Sequence, residues 1–409
     1  MLEIILFEDN SAYDLLPFTY TRPIYDLRVG IDKLSEKWTR VCGEAVQTWA
    51  WETQKPIFHR ISAQANEACL FLNGKVVADE RLLQYARENL EEHDALVSPD
   101  NDLLAFVAYP QEMEKAPPHF GADSLNFVHS REVYPHHHEL TLIKHPWDMF
   151  RRNGQVLRDD FEALTKGRKS AAINDPHTIV YNAAEVFVEP GARIKAAVLD
   201  AEAGPIYIGK GADIQPGAVI RGAHAICANA VVNVGAKLRG DSTIGPWCKV
   251  GGEVSNSVLQ GYSNKAHDGF LGNSVIGYWC NLGADTNISN LKNNYSTIKA
   301  YSHRLEQYVD TGLMFCGLMM ADHSKAGINT MFNTGTVVGV SCNIFGGDFP
   351  PKFIPSFSWG SAEGGFSEYK LEKAFETAER VMQRRKIPFT DKDVHLLRAI
   401  FNTTEHQRY

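Results

Sequence analysis

Between Ile208 and Val250 the chain reads IGKGAD-IQPGAV-IRGAHA-ICANAV-VNVGAK-LRGDST-IGPWCK-V. Ile208, Ile214, Ile220, Ile226, Val232, Leu238, Ile244 and Val250 therefore fall at an unbroken spacing of six. No α-helix has this period, because its apolar stripe recurs every three to four residues. A flat strand alternates with period two, so a side chain every six residues meets the same neighbours only if the chain keeps returning to one face. An aliphatic residue opening each six, with Gly, Ala or Asn in the turn, is the pattern of a hexapeptide parallel β-helix. Three units close one triangular coil, and the inward aliphatic side chains of successive coils stack into a continuous core. The same phase returns at Ile276, Leu282 and Ile288, and again at Phe332, Val338 and Ile344.

The chain has 409 residues, more than one ordinary core accommodates, so two or three domains are expected. A net charge of -8 argues against a nucleic-acid-binding surface. No run of eighteen apolar residues occurs, so no membrane span is expected. The start, MLEIILFEDNSAYD, lacks a basic segment and reads as a first strand rather than a signal peptide. The seven cysteines are scattered without a CxxC pair, which fits reduced thiols in a cytoplasmic protein.

Residues 1–175 read as mixed α/β. Strands are expected at Leu2–Phe7, Cys69–Leu72 and Leu103–Ala108, with helices at Asp79–Glu92 and Trp147–Leu164. The β-helix occupies 176–355, with its repeats from about Val186 to Phe353 and lapses of the strict hexads at 254–271 and 290–326. Insertions in a solenoid gather on one face and often build a site. Residues 356–409 hold two helices, Ser367–Arg385 and Asp391–Phe401, expected to cap the open end of the β-helix.

The first lapse carries Asn264-Lys265-Ala266-His267-Asp268-Gly269-Phe270-Leu271-Gly272. Ile276-Gly277, then Asn281-Leu282-Gly283-Ala284-Asp285-Thr286, and finally Asn290 follow it. An amine attacking a thioester must lose a proton, and imidazole titrates near neutral pH. Asn amides hold sugar hydroxyls or a developing oxyanion without adding charge. The run resembles the acetyltransferase half of the bifunctional N-acetylglucosamine-1-phosphate uridyltransferase / glucosamine-1-phosphate acetyltransferase family. That resemblance implies His267 as general base, Asn281 and Asn290 near the sugar and acetyl group, and Ala284 near the pantetheine of acetyl-CoA. It also puts Lys265 close to a lysine that contacts the sugar phosphate. The β-helix would be left-handed and the assembly a homotrimer. Phe270 stands where the family has Tyr, and Asp285 replaces the second Gly of its Gly-Ala-Gly-Thr run. The alternative for His267 is a solvated loop histidine beside Asp268.

In the N-terminal domain, Thr21-Arg22-Pro23-Ile24-Tyr25-Asp26-Leu27-Arg28-Val29-Gly30, Glu36-Lys37-Trp38, Phe71-Leu72-Asn73-Gly74 and Pro146-Trp147-Asp148 resemble sugar-1-phosphate nucleotidyltransferases, most closely a Bacteroidetes-type group. The resemblance implies a nucleotidyltransferase-like α/β domain taking a nucleoside triphosphate and a sugar-1-phosphate. Such chemistry needs cations and Mg²⁺ around a triphosphate. Arg22, Arg28 and Lys37 could supply the cations, Asn73 and Gly74 would approach nucleotide and sugar, and Asp26 or Asp79 could hold Mg²⁺. Three departures stand against this. The Gly-rich loop after the first strand is replaced by Phe7-Glu8-Asp9-Asn10-Ser11, Ile24 replaces a lysine, and Lys75 replaces an aspartate. Arg22 and Asp26 forming only an ion pair is the competing reading.

His136-His137-His138 with His145 reads as an exposed loop rather than a metal site, because consecutive strand residues point to opposite faces. Asp322-His323 reads as a surface turn, and Arg384-Arg385-Lys386 as a helix end. The reading that unites these features is amino-sugar-1-phosphate acetylation from acetyl-CoA coupled to nucleotidyl transfer, giving UDP-N-acetylglucosamine or a related nucleotide sugar. Its rivals are a sugar-1-phosphate nucleotidyltransferase with a structural β-helix, for example a glucose-1-phosphate thymidylyltransferase, and a non-catalytic trimer that binds sugar nucleotides.

Overall fold

A computed structural model describes residues 2–51, 53–62, 66–117 and 120–409. The chain forms two compact units, one from Met1–Leu27 and Asp32–His145, the other from Arg28–Ile31 and Pro146–Tyr409.

The first unit is a six-stranded mixed sheet in the order β2-β1-β3-β5-β4-β6. The strands are β1 (Glu3–Phe7), β2 (Gln47–Thr48), β3 (Cys69–Asn73), β4 (Asp94–Val97), β5 (Leu103–Ala108) and β6 (Ser130–Val133). The inner strands EIILF, CLFLN and LLAFVA are near-continuous apolar runs because both faces are covered. Ile4, Leu6, Leu70 and Leu72 point one way, onto Trp38 and onto Leu82, Leu83 and Ala86 of the helix Glu80–Asn89. Ile5, Phe7, Phe71 and Phe106 point the other way, onto Met113, Phe120 and Leu125.

The second unit is the parallel β-helix expected from the hexads, built of three main parallel sheets holding 6, 9 and 10 strands. All eight hexad residues are at most 1% exposed. Ile208 pairs with Ile226 and Ile226 with Ile244, eighteen residues on each time, so three hexads make one coil. The coils begin at Ile179–Tyr181, a few residues before the sequence estimate. The helix Pro146–Thr165 lies along them. Its Asn153 accepts a hydrogen bond from Thr243 Oγ1 at 3.1 Å and donates to the Asp241 carbonyl at 3.2 Å.

Of the two lapses in the hexads, only the second is the insertion expected. The first is a shortening: Ile244 pairs with Leu259, fifteen residues on, and Leu259 with Ile276, seventeen on, while the coils continue unbroken. The second is a true insertion. Ile276 pairs with Met320, and the intervening chain carries an antiparallel hairpin of Lys299–Ser302 with Gln307–Asp310. At the far end, Gly365–Glu368 forms an antiparallel strand on Ser358–Ser361, so the C-terminal helix starts at Leu371, not Ser367, and ends at Gln383. That strand protects the sheet edge. The helix instead packs along the side of the coils, with Met382 and Val381 against Tyr278, Trp279 and Tyr262.

The core ladder carries the stability of this unit. Ile244→Ala, inside a stack where relaxation is hindered from both sides, is expected to cost about 2–5 kcal/mol, read as a lowered urea midpoint.

Candidate functional site

In α/β sheets, ligand sites gather beyond the carboxyl ends of the strands. Asp9 follows β1, Asn73 ends β3, and Lys75 follows it. Lys75 Nζ lies 3.0 Å from Asp9 Oδ2 and 3.1 Å from Asp102 Oδ1, and its side chain is 2% exposed. Lys144 adds a second cation to Asp102 at 2.5 Å. Burial opposes the charge on Lys75, but Asp9 and Asp102 outweigh it and hold its pKa above the usual lysine value. Burial likewise works against the Asp102 carboxylate, yet the two lysines keep its pKa below the usual range. Asn73 donates to Asp9 Oδ2 and to the Leu103 carbonyl, both at 2.9 Å, and is fully buried. Gly74 serves close packing, since a Cβ there would stand 2.7 Å from Tyr25 Cβ. Beside this cluster, burial raises the Glu8 carboxyl to about 8, and Glu8 accepts the Ile24 N–H at 2.8 Å.

The other residues expected to hold phosphates or metal are placed differently. Arg22 does form the competing ion pair with Asp26, at 2.9 Å, and Lys33 joins it at 2.6 Å. Asp79 caps the helix Glu80–Asn89 by accepting the Leu82 N–H, and it also pairs with Arg81. Lys37 is 2% exposed on the helix Leu34–Cys42. Arg28 belongs to the β-helix unit. Its N–H donates to Gln260 Oε1 at 2.7 Å and its carbonyl accepts from Gln260 Nε2 at 2.9 Å. Asp9, Asp26, Asp79 and Asp102 are each paired with Lys or Arg, and no group of three His, Cys, Asp or Glu able to hold a metal occurs among the described residues. The three consecutive histidines lie on a short surface turn, His137–Glu139 being 3₁₀.

On the β-helix, His267 sits exposed at a coil corner just after the strand Asn264–Lys265. The corner rests on Gly251–Gly252, where a Cβ on Gly252 would meet the His267 carbonyl at 2.9 Å. The next coil stacks above it, with Asp285 N–H donating to the Asp268 carbonyl at 3.1 Å. This brings Ala284 to the same corner, one coil from His267. Asn281 lies on the adjoining face, exposed, and accepts from Asn264 Nδ2 at 3.4 Å. Asn290 lies beyond the next strand and donates to Asn273 Oδ1 at 2.8 Å.

Lys265 is not at the surface. It pairs in register with Val250, so it takes an aliphatic rung of the core ladder and is fully buried. Its ammonium donates inward to the carbonyls of His267 at 2.5 Å, Asp268 at 2.8 Å and Gly251 at 3.4 Å. The expected contact with a sugar phosphate therefore gives way to a structural one: Lys265 ties down the turn that presents His267. Burial lowers its pKa to about 8, against the opposing pull of Asp268 and Asp285.

A second corner was not legible as a unit. Trp247, Tyr262, Trp279 and His323 stand at equivalent positions of successive coils, all with φ between 55° and 63°. That left-handed geometry costs an L residue about 1–2 kcal/mol. Their rings stack in sequence at centroid distances of 6.4, 4.3 and 6.4 Å. Asp322, read as part of a surface turn, is buried, and its Oδ1 accepts the Tyr278 N–H at 2.8 Å.

Residues 4–169 match the family model described as sugar nucleotidyl transferase. No curated protein matches the chain. Among solved structures, the chain is similar to the UDP-N-acetylglucosamine acyltransferase of Francisella novicida, at 13% identity over 55% of this chain and 90% of that one, with a TM-score of 0.31. It is also similar to the polySia-specific acetyltransferase NeuO, at 12% identity over 52% and 95%, with a TM-score of 0.28. A hexapeptide transferase family protein from Anaplasma phagocytophilum aligns at 14% identity over 54% and 92%, with a TM-score of 0.13. No helix among the described residues is long and apolar enough to cross a membrane.

Replacing Lys75 by Met strands the buried Asp9 carboxylate, while Asp102 keeps Lys144, so a loss of about 3–5 kcal/mol is expected in urea denaturation. Lys265 makes the opposite kind of contribution. Its proton binds less tightly in the fold than in the unfolded chain, so the cost of the ammonium is full below pH 8 and is relieved between 8 and 10.5. The stability of wild type relative to Lys265→Met should therefore rise with pH across that window. A difference that stays flat would show that Lys265 keeps an ordinary pKa.

Proposed function

We propose that this chain is a transferase that acetylates a phosphorylated amino sugar from acetyl-CoA on its β-helix, with His267 as the general base. The observation that carries this reading is the His267 corner. An exposed imidazole stands on a turn tied from inside by Lys265, with Ala284 one coil away and Asn281 on the adjoining face. A turn held at both its carbonyls and its glycine floor fixes the backbone that presents the imidazole, which favours base catalysis.

The chemistry assigned to these residues is limited and balanced. The acceptor amine attacks the thioester carbonyl, an N–C bond forms, the C–S bond breaks, and coenzyme A leaves as the thiol. His267 removes the proton that the amine must lose, and that proton ends on the departing sulfur or in solvent. Asn281 and Asn290 orient the sugar or donate to the developing oxyanion. Assembly as a homotrimer, with acetyl-CoA held between neighbouring coils, belongs to the same proposal.

The match of residues 4–169 to the sugar nucleotidyl transferase model supports a nucleotide-sugar role for the N-terminal domain. Coupled nucleotidyl transfer, giving a product such as UDP-N-acetylglucosamine, is the fuller form of the proposal. The Lys75 cluster favours a second reading, in which this domain binds a sugar nucleotide without metal-dependent turnover.

Thiol release from acetyl-CoA with glucosamine-1-phosphate tests the acetyl-transfer proposal. His267→Ala should lower kcat about 10²–10⁴-fold with an unchanged circular dichroism spectrum. Turnover that survives the substitution would remove His267 from the mechanism.

A further inference from the structure

The hexad register places Lys249, Asn264 and Asn281 at one phase of three successive coils, each just before an inward rung. Adjacent strands lie about 4.8 Å apart, so these side chains form a row across the coils. Facing the row is the end of the C-terminal helix, where Arg384 and Arg385 follow Gln383. Between them lies a groove of about 240 Å³, walled by Tyr262 and Trp279 of the aromatic corner. The helix end is fixed in place because Met382, Val381, Ile387 and Phe389 pack on those same aromatics.

Three features of the groove ask for a ligand. It is lined by three cations and no carboxylate among the described residues, in a chain whose net charge is -8. Arg385 is partly engaged, over the Trp247 ring at 5.7 Å and donating to the Trp247 carbonyl at 3.2 Å. Lys249 and Arg384 have no ion pair or side-chain hydrogen bond among the described residues. Asn264 Oδ1 is buried without a hydrogen-bond partner, although its amide nitrogen reaches Asn281. Buried acceptors are almost always satisfied, so an empty one beside unpaired cations marks a place for an anion that also brings a hydroxyl.

We propose that this groove binds a hexose phosphate, with the phosphate between Lys249 and Arg384 and the sugar hydroxyls on Asn264 and Asn281. The volume falls below the range of about 300–1,000 Å³ usual for larger ligands, which suits a monosaccharide phosphate and not a whole dinucleotide. The site names the groups that would take the phosphate in the acetyl-transfer reading, but it stands on the groove alone and does not use His267.

The test is calorimetric titration of the full-length protein with glucosamine-1-phosphate, glucosamine, inorganic phosphate and ADP. Saturable binding of glucosamine-1-phosphate, weaker for phosphate alone and absent for glucosamine, is expected. Lys249→Gln and Arg384→Gln, with an unchanged circular dichroism spectrum, should each weaken it at least about tenfold. Asn264→Leu should weaken the sugar phosphate more than inorganic phosphate. The titration is run without acetyl-CoA, so its outcome is read apart from the thiol-release test of the catalytic proposal. Affinity indifferent to both charge removals, no binding of any phosphate, or equal binding of ADP and the sugar phosphate would each overturn the assignment.

Discussion

Each coil of the β-helix has to return an aliphatic side chain to the same axis, because an isolated coil of eighteen residues cannot bury its own apolar face. The stack Ile208, Ile226, Ile244, Leu259, Ile276, Met320, Val338 and Ile354 meets that requirement through eight coils, whatever happens at the corners between them. The corners are thereby released from the core, and chemistry concentrates there. Two successive coils are shortened, and the coil after them extends a hairpin to the side without breaking the ladder. The hydrophobic contribution grows with each rung, so local departures are tolerated where a small single core would fail.

The departures from this rule cluster around one region. Lys265 takes a rung of the third face that Val250 and Leu282 fill on either side, and it spends its ammonium on the carbonyls of the His267 turn. Lys325, three coils on from Lys249, repeats the device at the aromatic corner. Its ammonium donates to the carbonyls of Trp279 and His323, and burial lowers its pKa to about 8. Desolvating a lysine costs stability, as it does for buried Lys265 at the His267 turn and for half-buried Lys325 at the strained aromatic corner. Strain and desolvation of that kind persist where the surrounding ladder over-determines the backbone, and they are typical of functional positions. The N-terminal domain uses lysine differently: Lys75 bridges the Asp9 and Asp102 carboxylates inside the fold.

The β-helix was legible as a fold because its signal, one aliphatic residue in six, is the physical cause of that fold. The strands of the N-terminal sheet were legible from their apolar runs, and Leu103–Ala108 is reproduced residue for residue. The limits of the C-terminal helix were not, because Ser367 and its neighbours fit an amphipathic pattern yet pair with Ser358–Ser361 once the sheet edge is present. Among site residues, His267 stands exposed at a corner, whereas Lys265 reverses its expected direction. Its period in the hexads would have shown it to be inward-facing, but the lapse around it hid the phase. Arg28, Asn73 and Gly74 carry motif-like sequence for packing reasons, through Gln260, Asp9 and Tyr25. Arg384 and Arg385 are indeed a helix end, and only the fold reveals that they face Lys249 across a groove.

The central claim is that the β-helix carries acetyl transfer at its His267 corner. It is tested most directly by following thiol and pyrophosphate in one preparation given acetyl-CoA and glucosamine-1-phosphate, with and without UTP and Mg²⁺. The account predicts thiol release in both conditions. Pyrophosphate released with UTP and Mg²⁺, in the absence of thiol release in either condition, would contradict it.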